Sequence, residues 1–86
     1  MEISVELTLT PLQEQFEEPI IQFIKRLRAS GLTVLENPLS TQVYGKYEDV
    51  MQCLNTEIER SFKDLDHVVL LMKIVKTDRS DSRAEF

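Results

Sequence analysis

Residues 38–51, PLSTQVYGKYEDVM, predict a turn, a strand and a helix start with no gap between them. The proline marks the turn, and residues 41–46 are rich in side chains that strands favour. Glu48 and Asp49 then lie where the first turn of a helix attracts negative charge. The polar residues at 40–42 have two explanations, which are exposure of the strand to solvent and a polar pocket built on the sheet.

Upstream of this stretch, the hydrophobic spacing predicts a strand, a helix and a short second strand. Residues 2–10 alternate strictly between apolar and polar side chains, which is typical of a strand with one face in the core. A helix is predicted over about residues 18–30, and Gly31 supplies its left-handed stop. Residues 32–35 are rich in β-forming side chains, and we expect them to form a hairpin with residues 41–46.

Downstream, a second helix and a final strand are predicted. From Tyr47 onward, apolar side chains recur on one helical face for about four turns. Residues 67–76, HVVLLMKIVK, predict a strand that is apolar on both faces over its first half. Residues 77–86 are polar and have no period, so we expect a frayed tail after a single domain of residues 1–76.

The predicted order of elements is therefore βαββαβ. This order is the ferredoxin-like arrangement, an α+β sandwich with an antiparallel four-stranded sheet and both helices on one face. Both crossovers must be right-handed, which fixes the hand of the domain. A chain of 86 residues is expected to be only marginally stable alone, so self-association would help it.

Composition and charge exclude several classes of function. The net charge of −5 argues against a nucleic-acid-binding protein, whose affinity depends on clustered Lys and Arg. No apolar run approaches the roughly 20 residues that cross a bilayer, and the N-terminus has no basic leader, so we expect no membrane contact and a cytoplasmic location.

The single cysteine and the single histidine give little support to catalysis or metal binding. Cys53 has no partner for an intramolecular disulfide or a thiolate metal site, and we expect it to pack within the second helix. His67 is expected at a surface turn. With no paired acid-base or nucleophile motif, the sequence predicts no enzyme, no metal and no cofactor.

The sheet face away from the helices is expected to be of mixed character. Alternation places polar and aromatic side chains there, namely Ser4, Glu6, Thr8, Gln42 and Tyr44. The final strand adds an apolar set in either register, such as Val69 and Leu71. Such a face suits a subunit interface with a polar rim, or a small molecule with a flat ring and positive charge. From the residues alone, the interface is the first interpretation.

Three stretches resemble the YkoF-like family of thiamine-binding proteins: MEISVELTLTPL at the start, a helix ending near GL, and NPLSTQVYGKYEDVM. The similarity runs over residues 1 to about 76. The matching positions are Leu9, Pro11, Pro38, Leu39, Ser40, Thr41, Gly45, Tyr47, Glu48, Val50 and Met51. Members often have tryptophan where this chain has Tyr47 and an acid where it has Lys46. Some have two such domains, whereas this chain has one.

The resemblance implies a ferredoxin-like domain that forms dimers or tetramers, binds thiamine or its hydroxymethylpyrimidine portion, and catalyses nothing. The segment 38–42 is the part of the ligand site that the resemblance carries over. Ser40, Thr41 and Gln42 would then hydrogen-bond the pyrimidine. The other candidates follow from their predicted place on the open face and not from the resemblance: Glu6 would balance the thiazolium charge, Tyr44 would stack, and Thr8 would add a hydroxyl.

Plainer interpretations stay open for the same residues. Ser40 and Thr41 would organise the turn through bonds to the backbone, Glu6 would be a solvated acid, and Tyr44 would pack on the sheet. Two other functions also remain. One is an oligomeric interaction module without thiamine binding, and the other is a regulatory domain that binds amino acids at subunit interfaces.

Overall fold

The computed structural model describes residues 1–80, and its elements follow the predicted βαββαβ order. They are β1 (Glu2–Pro11), α1 (Glu17–Ala29), β2 (Thr33–Glu36), β3 (Thr41–Lys46), α2 (Tyr47–Asp64) and β4 (Val68–Val75). The strands form one antiparallel sheet in the order β2-β3-β1-β4. The predicted ferredoxin-like fold is confirmed.

The core lies between the two helices and one face of the sheet, as the alternation of β1 predicts. Ile3, Val5 and Leu7 are at most 2% exposed. The buried cluster also contains Leu9, Phe23, Leu27, Val43, Val50 and Leu54. Residues of both helices and of the two central strands therefore form one continuous apolar layer.

The ends of the helices agree with their local sequence. Gly31, just after α1, has φ of 86°, a conformation that costs glycine little. The Ser30 hydroxyl donates to the carbonyl oxygen of Leu27 over 2.5 Å and so satisfies one end of α1. Lys46 has extended backbone and Tyr47 is already helical, so β3 passes directly into α2.

A partly buried polar cluster joins the two helices. Arg26 of α1 places its Nε 2.5 Å from Glu57 Oε2 and donates through a terminal nitrogen to Ser61 Oγ over 2.9 Å. Ser61 is only 3% exposed, so its hydroxyl needs this partner. The arginine fixes the two helices relative to each other with hydrogen bonds as well as apolar packing.

Two chain segments differ from the prediction. β1 extends one residue further than the predicted strand of residues 2–10 and ends at Pro11, opposite Val68. A strand end tolerates proline because the missing N–H need not join the ladder. Thr77 and Arg79 are not frayed but hydrogen-bonded to Ser4. Residues 81–86 of the predicted tail lie outside the described part.

Neither helix within residues 1–80 is long and apolar enough to span a bilayer.

Candidate functional site

The sheet face opposite the helices, here called the open face, is organised in cross-strand rows. In one row, Gln42 of β3, Glu6 of β1 and Lys73 of β4 are directly opposite one another. In the next row, Tyr44 and Val75 flank Ser4. Side chains opposite each other on one face are neighbours, so the register brings Glu6, Gln42 and Tyr44 together.

A short hydrogen-bond chain orders the polar side chains of this face. The Ser40 hydroxyl donates to Glu6 Oε2 over 3.0 Å, and Gln42 Nε2 donates to Ser40 Oγ over 2.7 Å. The turn before β3 is instead closed by Asn37, whose Oδ1 accepts from the backbone N–H groups of Leu39 and Ser40. The Ser40 side chain is therefore directed across the sheet toward Glu6, and Asn37 organises the turn.

A cavity of about 370 Å³ opens beside this hydrogen-bond chain. Its lining residues are Val5, Glu6, Gln42, Tyr44, Lys73, Val75 and Arg79. The volume is at the lower end of the range, roughly 300–1,000 Å³, that small-molecule sites occupy. Three of the predicted site residues, Glu6, Gln42 and Tyr44, thus line a common cavity.

Two basic residues of this cavity were not among the predicted site residues. Lys73 lies on β4 directly opposite Glu6. Arg79 follows β4, and its backbone N–H donates to Ser4 Oγ over 2.8 Å, while that hydroxyl donates to the carbonyl oxygen of Thr77 over 2.7 Å. The pairing of β4 with β1 brings Lys73 and Arg79 to the cavity. The sequence does not specify this pairing residue by residue.

Three predicted site residues are outside the cavity lining, namely Ser40, which contacts it through Glu6 and Gln42, and Thr8 and Thr41. The Thr8 hydroxyl donates to the carbonyl oxygen of Leu39 over 3.4 Å, next to Leu71 on the open face. Thr41 is 7% exposed and pairs with Leu7, on the side of the sheet that faces the helices. Successive strand residues point to opposite faces, so Thr41 cannot share a face with Gln42. The structure separates Thr41 from the other predicted residues.

The cavity lining contains one acid and two bases. Glu6 accepts a hydrogen bond from Ser40, Lys73 is its register partner on β4, and Arg79 lies in the segment after β4. Beside Arg79, two hydrogen bonds from Ser80, through its hydroxyl and its backbone N–H, lower the pKa of Asp78. Asp78 is thus a carboxylate at neutral pH that is already engaged by its neighbour.

A larger cavity, of about 710 Å³, lies in the helix layer between the end of α1 and α2. Cys53 contributes to its wall. Burial raises the pKa of the Cys53 thiol, a hydrogen bond with Ser30 lowers it, and the nearby Glu57 carboxylate raises it, with a net increase. A thiol with a raised pKa is a weak nucleophile at neutral pH, in accord with packing as its role.

Within residues 1–80, no three His, Cys, Asp or Glu side chains are grouped closely enough to hold a metal ion. The expected absence of a metal stays a prediction.

Comparison with solved structures shows the same fold in three proteins. A Thermotoga maritima protein with a provisional assignment to thiamine biosynthesis or salvage is 20% identical, with 90% of this chain and 85% of that chain covered and a TM-score of 0.81. A hypothetical protein from Methanocaldococcus jannascii is 19% identical, with 98% and 89% covered and a TM-score of 0.77. A Streptococcus pneumoniae protein is 23% identical, with 91% and 89% covered and a TM-score of 0.70.

The family assignment rests on a match of the sequence to a family model. No curated protein matches the chain. A family model described as "Thiamine-binding protein" matches residues 5–85, which is nearly the whole chain. The resemblance seen in the sequence is confirmed by this match. The chain therefore belongs to the thiamine-binding protein family.

Proposed function

We propose that this protein binds thiamine or its hydroxymethylpyrimidine portion in the open-face cavity, without catalysis, as a cytoplasmic homodimer or homotetramer. The observation that carries the proposal is the grouping of Glu6, Gln42 and Tyr44 around one cavity in a chain of the thiamine-binding family. A mixed polar and aromatic lining of this kind fits a flat heterocycle with hydrogen-bonding atoms.

Each part of thiamine has a counterpart on this face. The aminopyrimidine presents donors and acceptors, which Gln42 and Ser40 can satisfy through their hydrogen-bond chain. The Tyr44 ring offers a surface for stacking and for a cationic ring. Glu6 supplies the negative charge that a thiazolium requires. Thr8 lies two residues along β1 from Glu6 and would contact only a ligand that extends past the cavity.

The position of the reactive side chains supports binding without catalysis. His67 lies just before β4, at the end of the sheet where Pro11 and Val68 pair, whereas the cavity includes Val75 at the other end of β4. Cys53 lies in the helix layer. The proposed ligand therefore meets neither the only histidine nor the only cysteine of the chain.

We expect thiamine and hydroxymethylpyrimidine to raise the melting temperature. A ligand at 100 times its dissociation constant stabilises the folded state by about 2.7 kcal/mol. In a domain of this size each 1 kcal/mol corresponds to about 4–8 °C, so the shift should exceed about 10 °C. Thermal melts followed by titration calorimetry measure it.

A charge-removing variant locates the site. Glu6→Gln should weaken thiamine binding by about tenfold, because the thiazolium loses its counter-charge, and should change hydroxymethylpyrimidine binding much less. Glu2→Gln, on the same strand but outside the cavity lining, is the matched control. Equal effects of the two variants on thiamine affinity would show that Glu6 is not part of the site. A melting temperature that neither thiamine nor hydroxymethylpyrimidine changes would refute thiamine binding.

The alternative is an interaction module whose only activity is assembly. It is favoured by apolar side chains on the open face, since Leu35, Val69 and Leu71 are 46%, 44% and 66% exposed. Leu35 lies on the edge strand β2, whereas Val69 and Leu71 lie two residues apart on β4 and form one exposed apolar strip, which is typical of an interaction surface. Both functions predict self-association, so the ligand melts are the measurement that separates them.

A further inference from the structure

We propose that the open-face cavity prefers a ligand that carries a phosphate monoester, with Lys73 and Arg79 binding the phosphate. The ligand class is a phosphorylated pyrimidine or thiazolium compound, so this inference rests on the proposed function. The observation behind it is the presence of two basic residues, Lys73 of β4 and Arg79 of the segment after it, in the lining of a cavity that has a single lining acid, Glu6.

Charge balance decides between a phosphorylated and an unphosphorylated ligand. Glu6, Lys73 and Arg79 together give the lining a net charge of about +1 at neutral pH. A free thiazolium would add a further positive charge to this small space. A phosphate monoester carries about −1.5 to −2 and would offset both bases while leaving Glu6 to the cationic or pyrimidine end.

The backbone fixes where the Arg79 side chain starts. Its N–H donates to Ser4 Oγ over 2.8 Å, and the same hydroxyl donates to the carbonyl oxygen of Thr77 over 2.7 Å. Ser4 is 7% exposed, so this contact is shielded from water. The guanidinium is thus attached to an anchored segment, which lowers the entropy cost of holding it against a ligand.

Neither base is held in an ion pair with another residue of the described part of the chain. The ion pairs found within residues 1–80 are Arg26–Glu57, Arg28–Glu36 and Lys63–Glu59, and none of them involves Lys73 or Arg79. Arginine binds phosphate through two parallel N–H groups and lysine as a point charge. Together they suit the doubly charged end of a monoester.

Titration calorimetry with matched ligand pairs tests the inference. Thiamine is compared with thiamine monophosphate, hydroxymethylpyrimidine with its phosphate, and inorganic phosphate is titrated alone. We expect each phosphorylated compound to bind about tenfold tighter than its partner, and the difference to shrink as salt is added. Lys73→Gln and Arg79→Gln should each remove most of that difference, because each weakens the binding of the phosphorylated compounds and removes a charge that repels the free thiazolium. The control variant Lys76→Gln, just outside β4 and outside the cavity lining, should keep the preference for the phosphorylated compounds.

The outcomes separate this inference from the proposed function. Equal affinities within each pair, or a preference that survives both cavity variants, would overturn phosphate recognition and leave thiamine binding in place. No binding by any of the four organic compounds would overturn both. Inorganic phosphate that binds as tightly as the esters would show an anion site with no selection for the heterocycle, which also contradicts the inference.

Discussion

Replacing Phe23 with alanine is expected to lower the free energy of unfolding by about 3–5 kcal/mol. Phe23 is 2% exposed and is the largest fully buried side chain within residues 1–80. It packs in the cluster that joins α1 to Ile3, Val5 and Leu7 of β1. Small domains are stable by only about 5–15 kcal/mol, so the loss would consume much of the total and lower the melting temperature by more than about 12 °C.

Phe16→Ala is the matched control for this prediction. Phe16 has the same side chain but is 47% exposed, just before α1. Urea unfolding followed by circular dichroism should show a lower midpoint with an unchanged slope for Phe23→Ala, and a change within about 0.5 kcal/mol for Phe16→Ala. All samples need one protein concentration, because the self-association that we propose would make stability depend on it. A loss below about 1 kcal/mol for Phe23→Ala would contradict the assigned core.

Leu71→Lys should reduce the mass of the assembled protein. Leu71 is 66% exposed on the open face, beside Thr8. Burial of about 300 Å² of apolar surface per copy would contribute about 7 kcal/mol before the entropy of association is subtracted. A lysine at the centre of a symmetric interface would have to leave water and would lie near its own copy, which opposes association.

Size exclusion coupled to light scattering measures the effect. At micromolar concentration, the unmodified protein should have at least twice the mass of the 10.0 kDa chain, and Leu71→Lys should approach the single-chain mass. Ile21→Lys adds the same charge to α1 at a residue that is 42% exposed, and should leave the mass unchanged. A monomeric unmodified protein would rule out this use of the open face.

The sequence was sufficient for the fold because local patterns and packing agree in it. The alternation in β1 and the acids after Tyr47 each indicated one element, and the order of elements then allowed one simple topology. Phe62 is a residue whose burial the hydrophobic periodicity does not predict. It lies on the apolar face of α2 by periodicity, yet it is 48% exposed, since that end of α2 borders Met72 at the edge strand β4.

The sequence predicted only those residues of the candidate site that follow the alternation of side chains within a single strand. Alternation placed Glu6, Gln42 and Tyr44 on one face, and the same rule, applied strictly, would have turned Thr41 inward. Lys73 required the register between β1 and β4, which is set by packing between strands distant in sequence. Arg79 belongs to a polar segment without periodicity, and its place depends on one hydrogen bond from its backbone to Ser4.

The attachment of residues 77–79 to Ser4 gives the cavity a wall that is separate from the core. Its bonds use one serine hydroxyl and backbone groups, so the identity of the side chain at position 79 is not constrained by them. Substitutions of the side chain at this position should therefore cost little folding stability. The nine core residues have no such freedom. In this small domain, the side chain at position 79 of the cavity wall can thus be exchanged without disturbing the packing that holds the fold together.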